Sequence, residues 1–145
     1  MPYKSAHMRF SNQKIADKLR QAGLRPTLQR LALAELLFTG GNRHVSAEAL
    51  HAEALAANVP VSLATVYNTL NQFTEAGLLR EVAVEGNRSY FDTNTSNHFH
   101  YFLEDKGQLV DIGIENVEVS GLPLPPKGME IDRIDVIVRL RPLAD

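Results

Sequence analysis

The chain of 145 residues contains no cysteine. That absence excludes disulfides, thiolate zinc sites, iron–sulfur clusters and a cysteine nucleophile. Any metal must be held by His, Asp or Glu, a ligand set that suits zinc, iron or manganese. Long apolar runs are also lacking. Nothing near the N-terminus reads as a signal-peptide core, and the longest apolar stretch, Leu31 to Phe38, is interrupted by Glu35. The expectation is a cytoplasmic protein with no membrane partner. Strong net charge is missing too: at −2 the total names no partner. Hydrophobic residues make up 44% of the chain, enough for a packed core in one compact domain or two small ones.

The distribution of charge says more than its sum. Residues 1–30 carry seven bases (Lys4, Arg9, Lys14, Lys18, Arg20, Arg25 and Arg30) against the single acid Asp17, a balance of +6. The rest of the chain carries eight bases and sixteen acids, or −8. A basic end on an acidic body suits an anionic partner, although a solvated charged helix gives the same count.

Apolar spacing predicts four helices in the first 78 residues. Ile15, Ala16, Leu19 and Ala22 recur at helical intervals before Gly23. Thr27 can cap a second helix bearing Leu28, Leu31, Leu36 and Leu37, which stops at Gly40-Gly41. Ser46 opens a third, with Val45 and Leu50 placed as a hydrophobic staple, ending near Asn58. Ser62 opens a fourth with the same device, Val61 and Val66, and a stripe of Leu63, Val66, Leu70 and Phe73. Two strands follow, about 79–84 and 88–91, joined by a tight turn at Glu85-Gly86-Asn87. The expected fold class is α+β: an N-terminal winged helix-turn-helix domain over residues 1–92, a polar linker over 93–97, and a small α/β domain over 98–145, to which the family resemblance given below assigns dimerisation and ligand sensing. In the latter, 98–103 and 108–112 read as paired strands, 116–120 as a short helix or irregular, and 134–140 as a last strand with one apolar face. A three-stranded sheet of this size is marginal alone, so pairing with a second copy is expected.

Two surfaces carry candidate chemistry. On the fourth helix, opposite the apolar stripe, lie Ala64, Thr65, Asn68, Asn71 and Gln72, with Tyr67 at the edge. Amides and hydroxyls on an exposed helix can bond base edges in a major groove, and Tyr67 can meet a thymine methyl or a phosphate. Basic groups at the N-terminus and Arg88 in the wing would supply phosphate contacts. A dimer of such modules would bind a palindrome. Second, His98 and His100 sit two apart on a strand and so share a face where imidazoles can chelate a metal; a satisfied polar surface is the plainer alternative. His44, just before a capped helix, reads from its position as a loop residue, and His7 and His51 have no evident role. Phe99, Tyr101 and Leu103 alternate to the other face for core or dimer packing. No general-base motif accompanies the histidines, so the chain is not read as an enzyme.

Several segments together resemble the ferric uptake regulator family: Ala22-Gly23-Leu24-Arg25-Pro26-Thr27 with Arg30, His44-Val45-Ser46-Ala47-Glu48, Ser62-Leu63-Ala64-Thr65-Val66-Tyr67-Asn68-Thr69-Leu70, Glu75-Ala76-Gly77-Leu78, and His98-x-His100 with Gly107. The resemblance implies a homodimeric repressor that binds AT-rich palindromic double-stranded DNA. The implied DNA-binding residues are Arg25, Arg30, Thr65, Tyr67, Asn68, Gln72 and Arg88. It also implies a divalent metal (zinc, iron or manganese) held by His44, Asp92, His98, His100 and Asp111, drawn from both domains so that occupancy sets the angle of the DNA-binding heads. Asp92 and Asp111 stand where the family usually has Glu, and Asn68 where many relatives have Arg. The family's Cys-x-x-Cys zinc site is replaced by Leu103 and Lys106, a second metal site is lost at Asn97 and Phe99, and the helix expected in 113–128 is shortened to a proline-rich stretch. These departures resemble the iron response regulator (Irr) branch, which implies control of iron and haem genes and haem as a regulatory ligand at His98 and His100.

Overall fold

The computed structural model describes residues 6–85 and 88–144, with side chains from residue 13 onward. Lys4, Gly86 and Asn87, and the side chains of His7 and Arg9, therefore lie outside the described residues. The chain divides into two compact units, one running to Thr95 and one beginning at Ser96.

In the first unit, helix α1 spans Ala6–Gln21 and buries Ile15, Ala16 and Leu19. Gly23 stops it in the left-handed region at φ +83°, where its amide and that of Leu24 close back on Arg20 and Leu19. Helix α2 spans Leu28–Phe38, with the Thr27 hydroxyl accepting from the Arg30 amide at 3.2 Å. The same device recurs at Ser46 before α3 (Ala47–Ala56) and at Ser62 before α4 (Leu63–Glu75), each hydroxyl accepting from an amide three residues on at 3.1 Å. Each such cap stabilises its helix by about 1 kcal/mol. Both staples form: Val45 and Leu50 are buried, as are Val61 and Val66. The stripe of α4 packs as its spacing predicts, with Val66, Leu70 and Phe73 fully enclosed against Leu19, Leu33, Leu37 and Leu50.

Leu28 departs from the expected α2 stripe. It is 87% exposed, because the face α2 buries is that of Leu33, Ala34 and Leu37. A second departure matters more for function. Between α2 and α3, His44–Val45 form a two-residue strand, β1, rather than a loop. It pairs antiparallel with β3 (Arg88–Asp92), which also pairs with β2 (Arg80–Glu85), so the wing is a three-stranded sheet in the order β1-β3-β2. Two residues are too few for an alternation to show in the sequence. Asp92 is therefore the last residue of the central strand, one beyond the expected 88–91, and is buried. The pairing even extends past it: the Thr93 amide donates to the Arg43 carbonyl at 3.0 Å, and the Arg43 amide to the Thr93 hydroxyl at 2.8 Å.

The second unit is a sheet of β4 (His98–Leu103), β5 (Gln108–Gly113) and β6 (Ile137–Leu140), in the order β5-β4-β6. β5 runs antiparallel and β6 parallel to the central β4. A single 3-10 turn at Ile114–Asn116 follows β5, and the proline-rich stretch beyond it is irregular, as missing amide donors dictate. The last strand is shorter than the alternation suggested: only the Val136 carbonyl, accepting from the His100 amide at 3.2 Å, extends the ladder upstream of Ile137.

Candidate nucleic-acid interface and metal ligands

The outward face of α4 is polar, as its sequence predicts. Tyr67, Asn68, Asn71 and Gln72 are exposed and Thr65 is half-buried. Beside it Arg25, Thr27, Gln29 and Arg30 join Thr65, Asn68, Thr69 and Gln72 in lining a groove of about 250 Å³. Arg30 braces this groove: its guanidinium donates to the Arg25 carbonyl at 2.9 Å and to the Gln72 side-chain oxygen at 3.1 Å. Five N–H donors on one guanidinium leave capacity for a phosphate as well. Arg88 lies on the wing, donating to Glu85 at 3.0 Å. The structure thus gathers Arg25, Arg30, Thr65, Asn68 and Gln72 along one groove and puts Tyr67 and Arg88 together beside another, of about 260 Å³, with Ser46, Glu48, Ser89 and Tyr90. Sequence reasoning gave Glu48 no role, yet its carboxylate accepts from the Tyr67 hydroxyl at 2.7 Å.

The candidate ligands occur in two groups, one per unit. In the first, the register of β1 and β3 sets His44 opposite Asp92. Directly opposed residues of an antiparallel pair project to one face, and the His44 Nε2 lies 3.2 Å from Asp92 Oδ2. Asp92 is 1% exposed, and its other oxygen accepts from the Asn94 amide at 2.9 Å. Next to His44, Arg43 is clamped by the Glu53 carboxylate of α3 at 2.9 Å and donates to the Leu36 carbonyl at 3.2 Å. The bond from Arg43 holds Glu53 below the usual carboxylate range, with burial working against it.

In the second unit the period of two puts His98 and His100 on one face of β4, where both are buried, at 5% and 2% exposure. Asp111 is the register partner of His100 on β5. Its Oδ1 lies 3.4 Å from His98 Nε2 and 3.6 Å from His100 Nε2. One nitrogen fixes the chemistry. His98 Nδ1 lies 2.7 Å from the Ser96 carbonyl, which can only accept, so Nδ1 carries the proton. In the neutral ring Nε2 then presents its lone pair, and it faces the lone pairs of a carboxylate. Such an arrangement can hold a metal ion between the groups, and a backbone carbonyl on the far nitrogen is the usual orienter of a metal-bound imidazole. The donor set of nitrogen and carboxylate oxygen fits a divalent first-row ion. His51 stands apart from both groups: its Nε2 meets the Val61 carbonyl at 3.0 Å, tying α3 to the turn before α4.

A winged helix whose fourth helix presents a polar outward face, followed by a small sheet bearing a histidine–carboxylate set, is the build of a metal-responsive transcription regulator. The sequence pattern of the ferric uptake regulator family matches residues 21–138. The ferric uptake regulation protein of Shigella flexneri is 39% identical over 101 residues, covering 69% of this chain and 68% of that protein. The crystal structure of the Vibrio cholerae ferric uptake regulator is similar at a TM-score of 0.68 and 27% identity, over 86% of this chain and 97% of that one. The ferric uptake regulator of Pseudomonas aeruginosa, solved with manganese, is similar at a TM-score of 0.65 and 28% identity, over 87% and 96% of the two chains. The chain belongs to the ferric uptake regulator family. Its members are transcription regulators, not enzymes; they bind DNA and act as dimers. Among the described residues no helix is long and apolar enough to cross a membrane.

Proposed function

We propose that this protein is a cytoplasmic, homodimeric repressor that reads AT-rich palindromic duplex DNA and takes one divalent ion as its signal. In this reading Thr65, Tyr67, Asn68 and Gln72 meet base edges, Arg25, Arg30 and Arg88 meet backbone or minor groove, and His44, Asp92, His98, His100 and Asp111 are the metal ligands. The observation that carries the metal half is the His98 ring, protonated at Nδ1 by its bond to the Ser96 carbonyl and aimed with His100 at the Asp111 carboxylate. When bound, the ion supplies the positive charge these lone pairs face. Each group is short of a full coordination shell by itself, with two candidate ligands in the first unit and three in the second.

Within this function we read the chain as a regulator of iron and haem homeostasis, of the iron response regulator branch. The missing cysteines and the proline-rich stretch after β5 support that narrower reading. Haem as the ligand of His98 and His100 is the more demanding form of it. The two rings are buried in edge-on contact, with centroids 4.6 Å apart, which suits a shared small ion better than a macrocycle.

A mobility-shift assay with Mn²⁺, Fe²⁺, Zn²⁺ and haem in parallel, on the wild type and on His98→Ala/His100→Ala, tests both. The expected result is metal-dependent DNA binding that the double variant loses. Haem that weakens DNA binding in the wild type alone would establish the haem form; no effect of haem removes it. DNA binding indifferent to every metal would overturn the metal half.

A further inference from the structure

One acid stands on the face assigned to reading. Glu48, in the first turn of α3, accepts the hydroxyl proton of Tyr67 at 2.7 Å, and both side chains are at the surface. The bond holds the Glu48 carboxyl below its ordinary range, aided by a backbone amide, and the carboxylate in turn raises the Tyr67 phenol. At neutral pH Glu48 is therefore an anion and the Tyr67 proton is committed to it. The groove on the Arg25 and Arg30 side of α4 is lined by no carboxylate at all. A carboxylate near phosphates weakens attraction to every duplex alike, whereas its bond to Tyr67 acts on a single contact.

We propose that Glu48 is a positioning and specificity-determining residue. By taking the phenolic proton, it stops Tyr67 from donating to phosphate oxygens or base acceptors. What remains for a base edge is the apolar ring and the oxygen lone pairs. Tyr67 then selects a thymine methyl or an exocyclic amino group of adenine or cytosine, the edges that match an apolar or accepting partner in the major groove. Freed of Glu48, the same phenol would donate to any phosphate within reach, a contact without sequence information. The inference rests on reading α4 as the helix that meets DNA.

The test uses an operator selected by the wild-type dimer from a random duplex pool, with a scrambled duplex as reference. Glu48→Ala is expected to raise affinity for the scrambled duplex and to lower the operator-to-scrambled ratio about fivefold, the loss of one oriented hydrogen bond. Glu48→Gln keeps an accepting oxygen without the charge, so it should raise scrambled binding while retaining the wild-type ratio. In a Tyr67→Phe background Glu48→Ala should leave the ratio unchanged. By ultraviolet titration, the phenol that disappears in Tyr67→Phe should ionise at higher pH in the wild type than in Glu48→Ala. The proposal is overturned if Glu48→Gln lowers the ratio as far as Glu48→Ala, or if Glu48→Ala lowers it equally without the phenol. If Tyr67→Phe reduces discrimination and Glu48→Ala does not, this inference fails and the reading of α4 stands. If neither changes it, this inference fails; the reading of α4 fails if the wild-type dimer selects no operator from the pool.

Discussion

In the first unit Leu19, Leu33, Leu37, Leu50, Leu70 and Phe73 are wholly enclosed by four helices and a short sheet. Among the described residues, the second unit encloses only Phe102 completely. On the face of its sheet away from His98 and His100, Tyr101 of β4, Val110 of β5 and Val138 and Leu140 of β6 are all exposed, beside the better covered Phe99 and Ile112. Residues at alternate positions of three adjacent strands thus form one continuous apolar surface. The opposite face carries the candidate ligands His98, His100 and Asp111, with Phe102 under the Arg139 guanidinium at 5.8 Å. The comparison teaches a division of labour in burial. One unit has the core of a self-sufficient fold and a polar outward face on α4, while the other lacks a finished core and carries the candidate ligands on one face and an apolar surface on the other, an arrangement in keeping with a family of dimers.

That comparison can be broken at either end. Truncating Phe73→Ala in the finished core should cost about 3–5 kcal/mol by urea denaturation, the usual range for an enclosed aromatic. A comparably small loss would mean the first unit is less complete than its burial implies. Val138→Asp on the apolar face should shift the dimer to monomer, weakening association at least about thirtyfold, as loss of a central interface contact does. Leu28→Asp, on an apolar residue exposed in the first unit, should leave sedimentation unchanged. Equal effects of the two would erase the distinction between units.

Smaller effects sharpen it. His100→Ala should reduce divalent-metal affinity at least about tenfold, the lower bound known for losing even an outer-shell partner, whereas His51→Ala, whose ring serves the turn before α4, should not change it by calorimetry. Glu53 offers a pH signature confined to the first unit. Because Arg43 holds its folded pKa below the unfolded value, the stabilisation is fully present above the unfolded pKa and is lost as pH falls through the folded one. Urea midpoints should therefore decline more steeply on acidification in the wild type than in Glu53→Gln. At the bottom of the scale, Asp17→Asn, which breaks an exposed pair with Arg20 at 3.1 Å, should change stability by less than about 0.5 kcal/mol.

Legibility in the sequence followed the strength of local signals. Helices with a hydroxyl cap, a staple and a glycine or asparagine stop were readable to within a residue or two, because each boundary is chemistry between near neighbours. β4 was readable from His98 to Leu103 since its alternation is long enough to register. β1 was not, because two residues carry no period and their partner lies nearly fifty positions away. For the same reason His44 looked like a loop residue until its register with Asp92 was known. Its candidacy as a ligand came from the family resemblance, not from the residues around it. The bond from Tyr67 to Glu48 had no signal either: it joins side chains of successive helices nineteen positions apart, and only the packing of α3 on α4 brings them together.

The two-residue strand has a consequence for how a signal can be carried. His44 is a candidate ligand, Val45 is the buried staple, Ser46 caps α3, and Glu48 grips the reading tyrosine. Sensor, anchor, latch and grip follow one another within five residues, with no glycine among them to absorb a change of backbone angle. A candidate ligand at one end and the partner of a candidate base-reading tyrosine at the other thus share a single glycine-free stretch of polypeptide, and inserting one glycine after Val45 should separate metal affinity from sequence choice while leaving each intact.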